Sequence, residues 1–249
     1  MSIRKVPAMN LTQYSALVGS IYEAALNSGS WSVLAPSIAE MFNAGSCKFQ
    51  FQDTQRTQAS VMCATSNYDM RSNTDYESYY FAKDPCVTEA RKIGVGTPVL
   101  SHEMIAPEIF LNSEVYNDYS RRIGVFHLVG AMLPVGDGAV AGIGIHRPYP
   151  AGTFNTQDKQ MMGLLVPHLT RALQMHRKLN GLERHGAVGL AALEALAVGV
   201  MVVDAAGRLL FSNTVAERLL QKGQGITVSH GHLRAQTLDR NQVLQHAIR

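Results

Sequence analysis

The sequence has little cysteine, little tryptophan and few charged residues. Its three cysteines, Cys47, Cys63 and Cys86, are too few and too irregularly spaced for a disulfide framework or a zinc site. Charged residues make up 16% and hydrophobic residues 46% of the 249, which excludes a disordered or fibrous chain. No apolar stretch reaches the roughly 18–20 residues that span a bilayer, and the start has no signal-peptide pattern. We therefore expect a cytoplasmic protein with no membrane, metal or cofactor partner.

Familiar catalytic signatures are also missing. The chain contains no GxSxG, HExxH, P-loop or GxGxxG sequence, and no Cys and His are arranged as a nucleophile and its base. We therefore expect a protein that is not an enzyme. The formal charge of +3 is weak evidence for nucleic-acid binding, because no basic cluster is longer than Arg121-Arg122 or Arg177-Lys178.

Charge and aromatic residues divide the chain into two parts of different character. Through residue 157 there are 11 Lys and Arg against 13 Asp and Glu, whereas beyond it there are 11 against 6. Of the 18 aromatic residues, only Phe211 lies in the second part. The aromatic part is therefore nearly neutral and the remainder is basic.

Hydrophobic periodicity predicts an α+β fold for the first part. Strands follow one another in pairs instead of alternating with helices, which favours an antiparallel sheet flanked by helices over a doubly wound sheet. The predicted segments are helices at 11–27 and 31–42, a hairpin at 47–52 and 59–65, a loop with a short helix at 68–81, a helix at 112–122, and a hairpin at 126–135 and 139–146.

A long helix is predicted at 155–184, capped by Asn155 or Thr156 and interrupted in its pattern by Pro167. One of its faces carries an apolar stripe at alternating spacings of three and four. The stripe either packs on the preceding sheet alone or packs partly on that sheet and partly on a second copy, as a dimer contact. Its members are Met162, Leu165, Leu169, Ala172, His176 and Leu179.

A second, smaller unit follows the small residues at 186–189. The predicted segments are a helix at 190–197, strands at 199–204 and 208–212, a helix at 213–220 capped by Asn213, strands at 226–229 and 232–235, and a helix at 238–248.

Several of these segments resemble known bacterial proteins. One stretch, residues 192–220, resembles the first half of a PAS domain and has Gly199, Asp204, Gly207 and Asn213 at the turn and cap positions. Five further segments are similar, in this order, to those of LuxR-type transcriptional regulators: 22–42, 79–87, 113–127, 164–179 and 225–235. The resemblance implies a GAF-like sensor domain at 1–154, a linker and dimerisation helix at 155–186 and an incomplete PAS-like module at 187–249. A helix-turn-helix DNA-binding domain would follow in such a regulator, and none is found in this sequence.

The resemblance implies a homodimer that senses a small apolar or aromatic molecule and contacts DNA only through that missing domain. Two alternatives stay open: an interaction and dimerisation module that binds no ligand, and a GAF-fold redox enzyme using Cys63 or Cys86. A homoserine lactone is not the expected ligand, because the tryptophan that precedes the tyrosine region in lactone receptors is absent.

Candidate ligand-binding residues come mostly from two aromatic clusters. Aromatic side chains either wall a ligand pocket or fill the core. Asp84, which precedes Pro85, either accepts a hydrogen bond from a ligand or caps a turn. The candidates are Trp31, Tyr68, Tyr76, Tyr79, Tyr80, Asp84, Tyr116, Tyr119, Phe126 and His127.

Overall fold

The computed structural model describes residues 11–53, 58–136, 138–223 and 225–248. The chain divides into two compact units, Met1–Leu179 and Asn180–Arg249. We describe each unit by itself.

A five-stranded antiparallel sheet, in the order β2-β1-β5-β4-β3, forms the centre of the first unit. The α+β fold and both predicted hairpins are confirmed, whereas β3 was not predicted because three residues are too few to show an alternation. Asp137, in the predicted turn of the second hairpin, and residues 54–57, in the turn of the first, lie outside the described residues. The strands are β1 (Ser46–Asp53), β2 (Gln58–Ala64), β3 (Pro98–Leu100), β4 (His127–Gly136) and β5 (Ala139–Arg147).

Helices flank this sheet. The segment predicted as a loop with a short helix is helical throughout residues 70–83, because the Asp69 carboxylate caps it by accepting from Ser72 N at 2.7 Å. The helices are α1 (Leu11–Leu26), α2 (Trp31–Met41), α3 (Met70–Asp75), a π-helical segment (Tyr76–Tyr80), α4 (Phe81–Lys83), α5 (Pro85–Ile93), α6 (Ser101–Met104), α7 (Pro107–Leu111), a second π-helical segment (Val115–Ser120) and α8 (Thr156–Glu194). Short 3-10 turns occupy Ser28–Ser30 and Tyr149–Ala151.

The main core lies on one face of the sheet, where α1, α2 and α8 cover the apolar residues of β1, β4 and β5. Four members of the predicted α8 stripe, Met162, Leu165, Leu169 and Ala172, are buried in this core. His176 is buried against Trp31, with 5.6 Å between ring centroids, and Leu179 is half-buried. The stripe therefore packs on its own sheet, and its burial leaves no surface for a second copy at the first five positions.

The start of α8 is fixed by a reciprocal cap. Asn155 Oδ1 accepts from Gln157 N and Asp158 N, and Asp158 Oδ2 accepts in return from Asn155 N at 2.8 Å. The helix continues through Pro167 and through the small residues at 186–189, where the sequence had predicted a break. Glycines are tolerated inside a helix at a modest cost in stability, which explains why they do not end it.

Within its described residues, the second unit contains the end of α8, two small antiparallel hairpins and two further helices. Asn213 organises it: its buried Oδ1 accepts from Ala216 N and Val200 N, while Nδ2 donates to the carbonyls of Leu193 and Val198. The predicted cap is thus confirmed. The elements are β6 (Met201–Val203), β7 (Leu209–Ser212), α9 (Thr214–Lys222), β8 (Ile226–Ser229), β9 (His232–Ala235) and α10 (Leu238–Ile248).

Arg147, at the end of β5, joins three parts of the first unit. Its guanidinium donates to the carbonyls of Phe42 at 2.6 Å, Asn43 at 3.1 Å and Thr153 at 3.1 Å. The Asp158 carboxylate lies 3.8 Å away, and both side chains are almost completely buried. One buried cation thus holds the loops after α2 and before α8 against the sheet.

Replacing Arg147 with Met is expected to lower the free energy of unfolding by about 3–5 kcal/mol, because it leaves a buried carboxylate and three carbonyls without their partner. Urea unfolding followed by the fluorescence of Trp31 measures this, since Trp31 is the single tryptophan and lies in the core of the first unit. The exposed Arg171→Met is the matched control and should change stability by less than about 0.5 kcal/mol. Equal stability of the two variants would contradict this role.

Candidate functional site

A cavity of about 90 Å³ lies on the face of the sheet opposite the main core. Residues of β1, β4 and β5 form its floor, and residues of the helical segments between β2 and β4 form its other walls. At roughly 10–15 Å³ per water-sized probe, this space admits several waters or a small organic group.

The floor is open because small residues face each other on β4 and β5. Gly130 and Gly144 are direct partners in the antiparallel register, and both line the cavity. A Cβ on Gly130 would lie 2.3 Å from the Ile143 carbonyl oxygen, so this position admits no side chain without movement of the backbone. On the neighbouring strand the same face carries Lys48 and Gln50, which line the cavity two residues apart.

Asp84 forms part of the wall and has both of its carboxylate oxygens occupied. Oδ1 caps α5 by accepting from Cys86 N at 2.8 Å, and Oδ2 accepts from the hydroxyl of Tyr76 at 2.8 Å. Burial raises the pKa of Asp84 above its usual value, while these hydrogen bonds act in the opposite direction. Of the two roles considered for Asp84, the cap is present in the structure, and the carboxylate also lines the cavity.

Lys48 places an ammonium group among aromatic faces. Its Nζ lies 3.4 Å from the ring centroid of Tyr76 and 5.2 Å from that of Tyr68, which are cation–π distances. Burial lowers the pKa of Lys48 to about 7, although the charges of Asp84 and Glu77 act to raise it. The amine therefore loses its proton more readily than an exposed lysine does.

His146 follows Gly142 and Gly144 on the cavity face of β5, and its surroundings favour the neutral imidazole. Its Nδ1 lies 3.0 Å from the hydroxyl of Tyr68. Burial, with a further contribution from the charge of Lys48, lowers the pKa of His146 to about 3. The cavity thus contains a neutral imidazole beside a titratable amine.

Two buried polar atoms of the cavity lining have no hydrogen-bond partner among the described residues: Gln50 Oε1 and the hydroxyl of Tyr119. Buried polar groups are normally satisfied, and each one left without a partner costs about 1–3 kcal/mol. Both atoms belong to residues that line the cavity.

The structure brings five of the ten predicted ligand-binding residues to this cavity and places the others elsewhere. Tyr79 is exposed beside Lys83, Tyr80 stacks on Tyr119 at a centroid distance of 5.1 Å, and Trp31 lies in the core on the opposite face of the sheet. His127 lines a separate space of about 20 Å³, and Tyr116 packs against Phe126. The five at the cavity are Tyr68, Tyr76, Asp84, Tyr119 and Phe126.

Sequence reasoning missed Lys48, Gln50 and His146 as cavity residues. The alternation in 47–52 does separate Lys48 and Gln50 from the apolar face, so the signal was present. Such a polar face usually meets solvent. Here helical segments between β2 and β4 cover it, and this covering turns a polar face into a cavity wall.

The described residues offer little for metal or thiol chemistry. They contain no group of three or more His, Cys, Asp or Glu side chains placed to hold a metal ion. All three cysteines are buried and free, and burial raises the pKa of Cys63 to about 12 and those of Cys47 and Cys86 well above the usual value. This environment disfavours the thiolate that the redox alternative requires. None of the described helices is both long and apolar enough to cross a membrane.

Comparisons with known proteins show the fold. No protein-family model matches the chain, and no curated protein matches its sequence. The chain is similar to the solved VqsR LBD domain of Pseudomonas aeruginosa, with 15% identity and a TM-score of 0.55 over 66% of this chain and 96% of that one. At this identity the likeness establishes a shared fold.

Two further matches have lower TM-scores. CepR2 of Burkholderia cenocepacia, an N-acylhomoserine-lactone-dependent LuxR-family transcription factor, has 10% identity and a TM-score of 0.48, covering 65% of this chain and 93% of that one. The phycoerythrobilin-bound GAF domain of a cyanobacterial phytochrome has 11% identity and a TM-score of 0.49, covering 69% and 100%.

The depressed pKa of His146 predicts acid sensitivity of the first unit. Below pH 6.5 the unfolded chain binds a proton at His146 that the folded chain does not bind, so the free energy of unfolding falls with pH until the folded pKa of about 3 is reached. Between pH 6.5 and 5 the expected loss is about 1.6 kcal/mol. His146→Gln removes this contribution and keeps a hydrogen-bonding group near Tyr68.

Urea unfolding of wild type and variant at pH 6.5 and pH 5, followed by Trp31 fluorescence, measures the difference. The exposed His102→Gln is the control and should retain the wild-type dependence on pH. An unchanged pH dependence in His146→Gln would show that His146 is not held neutral.

Proposed function

We propose that the first unit is the ligand-sensing domain of a transcriptional regulator of the LuxR type, and that a small molecule with an apolar or aromatic body binds in its cavity. The observation that carries this proposal is the cavity itself, which is walled by aromatic and aliphatic side chains and lined by buried polar atoms without partners. Small-molecule sites combine these two features. The fold shared with the VqsR LBD domain also supports it.

The cavity argues against the alternative of an interaction module that binds no ligand, because such a module is expected to have an interior filled by the tyrosines. In the structure Tyr80 and Tyr119 stack on each other and Tyr76 tilts against Tyr119 at 5.2 Å, so these rings pack together beside the space and leave it open. The open space favours a ligand-binding role.

The sheet provides the connection between ligand and output in this proposal. Successive residues of β5 face opposite sides, so Gly144 lines the cavity while Ile145 belongs to the core that includes Leu165 and Leu169 of α8. A ligand that fits one arrangement of the sheet better than another shifts the population of α8 positions. Its effect is limited by the difference between its affinities for the two arrangements.

A homodimer and a DNA-binding domain complete the proposed regulator. Leu164 and Met175 expose apolar side chains on one side of α8, where a second copy could cover them. Sedimentation equilibrium of the full chain should give the mass of two copies. A mass of one copy at micromolar concentrations would contradict the dimer without affecting the ligand proposal.

Filling the cavity should abolish ligand binding. Ala90 of α5 lines the cavity, and Ala90→Leu adds side-chain volume there without disturbing helix propensity. The probes are phenylacetate, phenylacetamide, hexanoate and hexanamide, tested by thermal unfolding followed by Trp31 fluorescence. A probe at about one hundred times its Kd should stabilise wild type by roughly 2–3 kcal/mol and leave Ala90→Leu unaffected.

Ala82→Leu, at an exposed position of α4, makes the same substitution outside the cavity and should respond like wild type. Equal stabilisation of Ala90→Leu and Ala82→Leu would place the binding site elsewhere. If none of the four probes stabilises wild type, the ligand-sensing role is rejected for this class of molecule.

A further inference from the structure

The cavity contains a buried cation that lacks an acceptor. Lys48 is only 6% exposed and lines the cavity. Among the described residues, no hydrogen-bond acceptor is in contact with its Nζ, and no carboxylate oxygen lies within 4.0 Å of it. Its contacts are with aromatic faces. A buried ammonium is normally paired.

The nearby carboxylates do not supply the missing partner. Asp84 accepts from Tyr76 and Cys86, and Glu77 Oε1 accepts from Val61 N at 2.5 Å. Both charges act on Lys48 from beyond contact distance. The titratable groups around Lys48 are Asp84, Glu77, Tyr68, Tyr76 and His146.

Two more polar groups of the lining are also without partners. Tyr119 is 2% exposed and its buried hydroxyl can donate one hydrogen bond, while Gln50 is 7% exposed and its buried Oε1 can accept one. The remaining wall contains Phe110, Phe126, Met104 and Met132. The cavity therefore combines a cationic donor, a neutral donor and an apolar wall with the Asp84 carboxylate, whose two oxygens already accept from Tyr76 and Cys86.

We propose that the natural ligand of this cavity is a carboxylic acid, with its carboxylate bound by Lys48 Nζ and the Tyr119 hydroxyl and its apolar body against the phenylalanine and methionine side chains. This inference rests on the proposed ligand-sensing function. A carboxylate supplies the acceptor that Lys48 lacks and places a negative charge in contact with its ammonium, whereas Asp84 and Glu77 act from beyond contact distance. Hydrogen bonds between charged groups are stronger than neutral ones. A neutral carbonyl would accept a hydrogen bond but would add no charge.

Binding of an acid should depend on pH through Lys48. The carboxylate pairs with the protonated amine, so its affinity is constant below the pKa of about 7 of the free protein and falls about tenfold per pH unit above it. From pH 6.5 to pH 8.5 the expected loss is at least tenfold. The affinity of a neutral amide should stay constant over this range.

Phenylacetate and phenylacetamide test the inference because they differ only in the charged group. Isothermal titration of the full chain at pH 6.5 should give phenylacetate an affinity at least tenfold higher than that of phenylacetamide. Lys48→Met, which keeps the length of the side chain and removes its charge, should abolish this preference by weakening the acid alone. Lys92→Met removes an exposed charge from α5 and should keep the preference.

The pH profile of wild type gives a second readout that does not depend on the folding of any variant. Equal affinity for acid and amide in wild type, or an acid affinity that is unchanged between pH 6.5 and pH 8.5, would overturn the inference and leave the proposed function standing. Binding of neither probe would reject the inference and, for aromatic molecules of this size, the proposed ligand-sensing function as well.

Discussion

The alternation of side chains along β1, β4 and β5 is the constraint on which both the core and the cavity depend. In these strands every second residue is apolar and faces α1, α2 and α8, as Phe49, Val129 and Ile145 do. The residues between them include the small and polar side chains of the cavity floor, such as Lys48, Gly144 and His146, and they face the other helical layer. A shift of one residue in any of these strands would exchange the two faces, so the register that builds the core also builds the cavity.

The polar face is a costly arrangement for stability alone. Lys48 is buried without an acceptor, His146 is held neutral, and Gln50 Oε1 has no partner. Apolar residues of similar size at these positions would avoid the cost of desolvation. A polar set of this kind is accounted for if a bound molecule completes its hydrogen bonds, because the cost then applies only to the empty state.

Much of the fold could be predicted from the sequence, because α1, α2, both main hairpins and the Asn213 cap follow from local periodicity and capping chemistry. The helical stretch 70–83 was missed because its aromatic residues show no clear helical period. The location of the cavity could not be predicted, since residue type does not reveal which layer covers a strand face. Trp31 and Tyr119 are both buried aromatic residues, yet only Tyr119 lines the cavity. From the alternation of its strand alone, Lys48 is predicted to face solvent, because the sequence does not show that helices cover this face.

The measurement that tests this account most directly is a crystal structure of the full chain grown with phenylacetate. The account predicts density for one molecule in the space between the sheet and α5, with a carboxylate oxygen within hydrogen-bond distance of Lys48 Nζ and of the Tyr119 hydroxyl. A structure in which the cavity is empty and phenylacetate is absent or bound elsewhere on the protein would contradict it.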